Sequence, residues 1–305
     1  MHLPEILNRR RTNFSFEFFP PKTEAASKRL LKTVEDLAAL DPCYVSVTYG
    51  AGGTTRKLTY ELLLEIKKNT DIPVVSHLTC VGADRDEIYK LLKSYWDSGI
   101  RNILALRGDP PEGEKYFTAP ENGFNYADEL VAFIREHFPD MGIGVAGYPE
   151  GHFQTPNRLQ EIELMKRKVD AGAEYICTQL FFDNRDFYDY CERCEYAGID
   201  VPIIAGIMPV TSKKGLFKMA ELSAGSRIPA KLLKAVDCAE SEEYVENVGV
   251  HWATAQIMDL VDHGVQGIHL FTLNKSKAAI KIYETLGVST SLALHDYGEP
   301  SEIEG

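Results

Sequence analysis

Glu17 is a lone carboxylate in an aromatic run, Phe14-Ser15-Phe16-Glu17-Phe18-Phe19-Pro20-Pro21. Side chains of an extended chain alternate faces, so Phe14, Phe16 and Phe18 point one way and Ser15, Glu17 and Phe19 the other. Burying an ionised carboxylate without a partner is costly, so such a group takes up a proton, pairs with a cation or serves chemistry. On these residues alone two readings of Glu17 stay open, a structural ion pair and a catalytic acid. Further polar clusters close other apolar runs: Thr48-Tyr49-Gly50-Ala51, His77-Leu78-Thr79-Cys80, Arg107-Gly108-Asp109, Tyr148-Pro149-Glu150-Gly151-His152 and Thr178-Gln179. A single histidine such as His77 or His152 is more often a satisfied hydrogen-bonding group than a ligand. The recurrence of such clusters is the stronger signal.

Three other motifs suggest chemistry that their context does not support. Gly142-Ile143-Gly144-Val145-Ala146-Gly147 has dinucleotide-binding spacing, but its glycines fall within a predicted strand and Pro149 follows where a helix should start. Cys191-Glu192-Arg193-Cys194 has the spacing of a zinc or redox pair, yet it lies in a predicted helix with no second close pair. The run Lys166-Arg167-Lys168 reads equally as a solvated face or as a contact for an anionic cofactor. No serine or cysteine triad, phosphate-binding lysine loop or two-histidine metal helix is present in the sequence.

The elements that must position these residues alternate. β-branched apolar runs near 14–19, 43–49, 73–80, 102–107, 142–148, 174–181, 202–208 and 267–273 are separated by segments with helical periodicity. The pattern predicts an α/β fold, a (β/α)8 TIM barrel whose active site lies at the strand C-termini. A single catalytic barrel is expected over residues 1–288, with an N-terminal arm at 1–12 and a mobile tail at 289–305. Gly99, Gly172 and Gly198 suit left-handed helix C-caps, and the acidic run from Asp237 to Glu246 suits a solvated helix start.

Composition narrows the partners. The 305 residues carry a formal charge of −12, which argues against general binding to nucleic acid or an anionic membrane. The six cysteines are scattered, no secretory leader is visible and no apolar stretch is long enough to span a bilayer, so a cytoplasmic protein is expected. Anionic ligands would need local basic pockets.

Assembled, these segments resemble the bacterial, single-domain form of 5,10-methylenetetrahydrofolate reductase, a flavoprotein barrel, from Phe14 to Val288. The most specific matches are Phe16-Glu17-Phe18-Phe19-Pro20-Pro21, Val45-Ser46-Val47-Thr48-Tyr49-Gly50-Ala51, His77-Leu78-Thr79-Cys80 and Leu106-Arg107-Gly108-Asp109. Tyr148-Pro149-Glu150 with His152, the run Lys166 to Gly172, Thr178-Gln179 with Phe181-Phe182-Asp183, and Phe271-Thr272-Leu273-Asn274 extend them. The resemblance implies FAD held at the strand C-termini by Thr48, Tyr49, Ala51, His77, Arg107, Gly108, Asp109, Ala127, Tyr148, His152, Arg167 and Lys168. It implies ping-pong reduction of methylenetetrahydrofolate to 5-methyltetrahydrofolate, a step of one-carbon metabolism and methionine biosynthesis, with NADH or NADPH reducing the flavin.

By the same resemblance Glu17 protonates the departing N10. Desolvation by Phe19 and the barrel wall is expected to raise its pKa toward the working pH. Asp109 would lie near pterin and flavin, and Gln179 and Lys275 would bind substrate. Glu161, Leu164, Gly215, Met219 and Lys275 depart from the better-known bacterial pattern. Met219, standing where an aromatic residue packs on the nicotinamide nucleotide, leaves NADH, NADPH or a protein electron donor open as reductant, and Lys275 could still attract a folate carboxylate as a point charge. A homo-oligomer is expected. The alternative reading is another flavin barrel, such as a proline dehydrogenase; a flavin-free lyase barrel and an inert binding barrel are weaker.

Overall fold

All eight predicted strands are present, and each pairs in parallel with the next. The structure is a computed structural model that describes residues 2–7, 12–21, 23–49, 54–110, 117–155, 157–223 and 226–294. The strands are β1 (Asn13–Phe18), β2 (Tyr44–Val47), β3 (Val74–Thr79), β4 (Asn102–Leu106), β5 (Gly142–Gly147), β6 (Tyr175–Thr178), β7 (Ile203–Ile207) and β8 (Gly267–Phe271). They form a closed barrel in chain order, with β8 returning to β1. The helices are α1 (Leu3–Leu7), α2 (Glu24–Ala38), α3 (Thr54–Asn69), α4 (Arg85–Asp97), α5 (Ala127–His137), α6 (Arg158–Asp170), α7 (Asn184–Tyr196), α8 (Lys213–Leu222), α9 (Ala230–Asp237), α10 (Glu242–Asp262) and α11 (Lys277–Leu286).

Alternation along β1 sorts the first motif. Phe14, Phe16 and Phe18 are fully buried outside the barrel wall, and Phe14 and Phe16 meet the Tyr283 ring of α11. The interior instead holds Tyr44, Val75, Leu104, Tyr175, Cys177 and Ile204, closed below by Leu3, Ile6 and Leu7 of α1. The expected arm is therefore a plug, tied down by Leu3 N donating to Asn102 Oδ1 at 2.8 Å and Asn13 Nδ2 donating to Leu7 O at 3.0 Å. Met1 and residues 8–11 lie outside the described residues.

The glycines of the strand-five motif serve packing. A Cβ on Gly144 would lie 2.1 Å from the Tyr175 ring, and one on Gly147 would lie 2.6 Å from the Tyr190 hydroxyl. Gly99, Gly172 and Gly198 take the expected left-handed conformation, with φ of 74°, 117° and 68°.

Two expectations need correction. The acidic run does open α10, capped by Ser241, but Glu246 is not solvated. It pairs with Lys281 at 2.5 Å and Lys277 at 3.0 Å, clamping α10 to α11. The start of the expected mobile tail is fixed: residues Ser291–Leu294 form a 3-10 turn in which Ser291 Oγ donates to Leu40 O at 2.9 Å and lies 2.8 Å from the Tyr283 hydroxyl. A buried hydroxyl keeps such a turn in place because releasing it would leave the carbonyl of Leu40 short of a partner. Residues 295–305 lie outside the described residues.

Above the barrel, a small apolar core sits where α8, α9 and α10 cover the ends of β6 and β7. It joins Leu180, Phe182, Met208, Val210, Leu216 and Leu232. Two of these three helices, α8 and α9, were not foreseen.

Candidate active site

Glu17 points into the barrel near its C-terminal end, paired in register with Ser46 of β2 and Phe271 of β8. It is buried, with 8% of its side chain exposed, and its Oε2 lies 3.6 Å from His77 Nε2 and 3.7 Å from His269 Nε2. Phe19 lies past the strand end and is 36% exposed. Glu17 itself is buried in the barrel interior, between His77 and His269. His77 is pushed down to about 4, mainly by burial, with His269 adding to the effect and Glu17 opposing it. At neutral pH it is therefore an uncharged imidazole beside a carboxyl group, so the cation needed for an ion pair is missing on that side.

His269 is a site residue that the sequence reading missed. Its Nδ1 lies 2.7 Å from Ser15 Oγ and its Nε2 3.2 Å from Ser46 Oγ. Its ring stacks on Tyr44 at 5.7 Å, with the Phe271 ring edge-on at 5.5 Å. Both ring nitrogens are thereby fixed by neighbouring hydroxyls, which holds the imidazole against Glu17. The missed signal was parity. Ser15, Glu17, Ser46, His77 and His269 are polar residues within strands on inward-facing registers, and a polar residue at such a position in an apolar run marks the barrel interior.

Around this centre the loop residues form a second, more open group. Gly108 adopts φ of 86°, and a Cβ there would lie 2.5 Å from Val81 Cγ2 and 3.0 Å from Thr79 Cβ, so only glycine fits. Arg107 Nη2 donates to Gln154 Oε1 at 2.7 Å, bridging the loops after β4 and β5. Tyr148 and His152 meet edge to face at 4.8 Å, and His152 stacks on Phe153 at 4.7 Å. Burial pushes the Tyr148 phenol up to about 12, assisted by the charges of Asp109 and Glu161. It lowers His152, with Arg107 acting in the same direction. Asp109 itself is exposed.

Lys166-Arg167-Lys168 divides three ways. Lys166 pairs with Asp170, Arg167 Nη2 donates to Asp128 Oδ2 at 2.5 Å, and Lys168 Nζ donates to Ala146 O at 2.9 Å at the top of β5. Burial pulls the Lys168 ammonium down to about 8. Arg167 is exposed and committed to Asp128, so Lys168 is the inward member of the run. Cys191 and Cys194 lie in α7, where burial pushes their thiols up to about 12 and about 11; this is packing, not a metal or redox site.

Several buried polar atoms near the ends of β2 and β3 have no hydrogen-bond partner among the described residues: Tyr49 OH, Arg56 Nε, His77 Nε2 and Thr79 Oγ1. Buried polar groups are normally satisfied, so these atoms fit a site completed by a polar ligand. α5 adds to it. Its N-cap Tyr126 makes no side-chain cap bond, which leaves first-turn amides beginning at Ala127 open to an anion. Thr48 sits at the same rim, its carbonyl accepting from Thr59 Oγ1 at 3.0 Å. Ala51 lies outside the described residues.

The remaining predicted contacts are looser. Gln179 lies beside Tyr148 and Glu150 at a cleft, its Oε1 accepting from Leu180 N at 2.9 Å. Lys275 is exposed, with no ion pair among the described residues. Gly215 serves the start of α8, its N–H donating to the cap Ser212 Oγ at 3.0 Å, and Met219 packs against the upper apolar core. No group of three or more His, Cys, Asp or Glu residues able to hold a metal occurs among the described residues. Nor is any helix among them long and apolar enough to cross a membrane.

The profile described as Methylenetetrahydrofolate reductase matches residues 2–287. Over 281 residues the chain is 40% identical to 5,10-methylenetetrahydrofolate reductase of Escherichia coli (strain K12), covering 92% of both chains. Over 297 residues it is 39% identical to methylenetetrahydrofolate reductase (NADH) 1 of Arabidopsis thaliana, covering 94% of this chain and 50% of that protein. The chain thus spans about half the length of the plant relatives it matches. A solved Clostridium thermocellum protein that binds two copies of 5-methyl-5,6,7,8-tetrahydrofolic acid superposes with a TM-score of 0.67 at 19% identity, covering 94% of this chain and 99% of that one. That likeness concerns the fold.

Proposed function

The chain belongs to the methylenetetrahydrofolate reductase family, and on that premise we propose that it reduces 5,10-methylenetetrahydrofolate to 5-methyltetrahydrofolate. The reductant is NADH or NADPH and the resident cofactor is FAD. The observation that carries this reading is Glu17, a buried carboxyl group flanked by two imidazoles inside the barrel mouth. A reduction at the bridging methylene of this folate needs a proton on N10, so that the C–N10 bond opens and leaves an iminium at N5 to accept the hydride. Glu17 supplies that proton, and His269, locked by Ser15 and Ser46, keeps the carboxyl group oriented. Neutral His77 does not compete by forming an ion pair.

FAD, when bound, carries the hydride from the pyridine nucleotide to the folate, which occupy one site in turn. The chain's part is to hold the cofactor. The unsatisfied Tyr49, His77 and Thr79 atoms support contacts to its polar groups, and Gly108 lets the backbone come close. Lys168, Arg107 and the open amides of α5 offset its diphosphate charge in an acidic protein. Asp109 is exposed at the rim, free to hydrogen-bond the pterin, with Gln179 and Lys275 as further substrate contacts. The NADH-named plant relatives favour NADH among the two nucleotides. Cysteines that form no disulfide among the described residues fit a cytoplasmic protein.

The test is an anaerobic absorbance experiment on the purified protein. NADH or NADPH should bleach the flavin band, and methylenetetrahydrofolate should restore it. A protein without flavin even after FAD is added back refutes the reading.

A further inference from the structure

The backbone ladder between β1 and β8 ends at the pair Glu17 and Phe271. Beyond it Pro20 and Pro21 have no N–H to continue the pairing. Yet the two segments stay joined beyond it through side chains. Thr272 Oγ1 donates to Glu17 O at 2.6 Å and accepts from Asn274 N at 3.2 Å. The Asn274 side chain closes a two-point clamp on Phe19: Oδ1 accepts from Phe19 N and Nδ2 donates to Phe19 O, both at 2.8 Å.

The turn that makes this possible is strained. Leu273 and Asn274 are consecutive non-glycine residues with φ of 51° and 59°. Asparagine tolerates that region, whereas leucine rarely enters it, and such outliers persist only where the surroundings over-determine them. Here α2 adds two further ties: Thr33 Oγ1 donates to Asn274 O at 3.4 Å, and Ser276 Oγ donates to Asp36 Oδ2 at 3.1 Å. Each polar group of Asn274, main chain and side chain, thus makes a hydrogen bond inside the protein, which gives the residue a structural task.

We propose that Thr272 and Asn274 are positioning residues which brace the β8 loop against β1 and so hold Glu17 at the proton-transfer distance from bound folate. The inference rests on the functional reading above. The brace attaches at Glu17 O and at both main-chain polar atoms of Phe19, immediately C-terminal to the Cα that carries the acid. It also fixes Lys275, whose N–H donates to Thr272 O at 3.0 Å. Proton donor and the cation expected to meet the folate carboxylate therefore sit on one rigid unit. Reduction of the flavin by a pyridine nucleotide needs no proton on a folate nitrogen, so the brace should matter for one half-reaction and not for the other.

The experiment uses the flavin-loaded protein in anaerobic stopped flow, with Thr272→Val, Thr272→Ser and Asn274→Ala beside the wild type. Valine keeps the shape of threonine without its hydroxyl, whereas serine keeps the hydroxyl. A displacement of the acid by about 1 Å costs up to about a hundredfold in rate, so reoxidation of reduced flavin by methylenetetrahydrofolate should fall at least about tenfold in Thr272→Val and Asn274→Ala. Bleaching by the nucleotide should stay within about twofold, and Thr272→Ser should restore reoxidation. Reoxidation at the wild-type rate in both crippled variants overturns the proposal, as does an equal fall in both half-reactions. Loss of folded, flavin-binding protein in both variants also overturns it, since the brace would then be a folding element. A wild-type flavin that the folate does not reoxidise refutes the functional reading itself, and the brace with it.

Discussion

Replacing His77 with glutamine should change how stability responds to pH, by an amount the structure sets. In the folded chain His77 titrates at about 4, against an ordinary value of 6.5, chiefly because it is buried, with His269 adding to the effect and Glu17 opposing it. The folded-state value is the lower one, so between 6.5 and about 4 the unfolded chain binds a proton that the folded chain does not. Stability is therefore unaffected by His77 above that window, falls as pH drops through it, and levels off below. At about 1.4 kcal/mol per pH unit the whole effect is about 3 kcal/mol, of which about 2 kcal/mol falls between about pH 7.5 and about pH 5.

Other carboxylates titrate in the same range, so the quantity to measure is a difference. Urea unfolding of wild type and His77→Gln, at equal FAD concentration, gives two stability curves. Their separation should change by about 2 kcal/mol between about pH 7.5 and about pH 5, the wild type losing more. In a Glu17→Gln background the same comparison removes the carboxylate that favours the imidazolium, so the window should extend to lower pH. Parallel curves for wild type and His77→Gln across the window would refute the claim that His77 is buried as the neutral imidazole.

Further outcomes follow from the same geometry. Glu17→Gln should retain folate binding while flavin reoxidation by methylenetetrahydrofolate slows about a hundredfold to ten-thousandfold, with nucleotide bleaching intact; near-native reoxidation removes Glu17 from the acid role. Gly108→Ala places a Cβ 2.5 Å from Val81 Cγ2 at a positive φ, and should cost about 2 kcal/mol or more in stability together with flavin retention, read by thermal unfolding and the absorbance ratio. Lys168 titrates at about 8, and only its ammonium form attracts a diphosphate, so FAD affinity should weaken above that pH. Lys168→Met should bind FAD less tightly and lose that pH dependence in fluorescence titrations.

Much of the protein was legible in order along the chain. A strand needs only local alternation or a short β-branched run, and a helix only its apolar stripe, so eight strands and helical segments between them could be placed before any contact was known. The glycine caps at Gly99, Gly172 and Gly198 were legible for the same local reason, as was the placing of Glu17 on the face opposite Phe14, Phe16 and Phe18. α8 and α9 were not, because their apolar faces make sense only against the core formed with Leu180, Phe182 and Met208 from distant strand ends.

What belonged to tertiary structure alone is the set of partners. His269 reaches Glu17 from 252 positions away in sequence only because β8 closes on β1, and until that seam forms nothing distinguishes it from a strand histidine with a structural task. The barrel as a whole sets His77 beside Glu17 with its Nε2 short of a hydrogen bond among the described residues, packing of α5 on α6 ties Arg167 to Asp128, and the β1–β8 seam lets Thr272 and Asn274 carry the pairing past its last backbone bond. Residue type and local spacing determine which element forms and which face a side chain takes, because those depend on torsions and neighbours a few residues away. Protonation state, burial and hydrogen-bond partners depend on what the fold brings within a few ångströms, and only the closed barrel decides that.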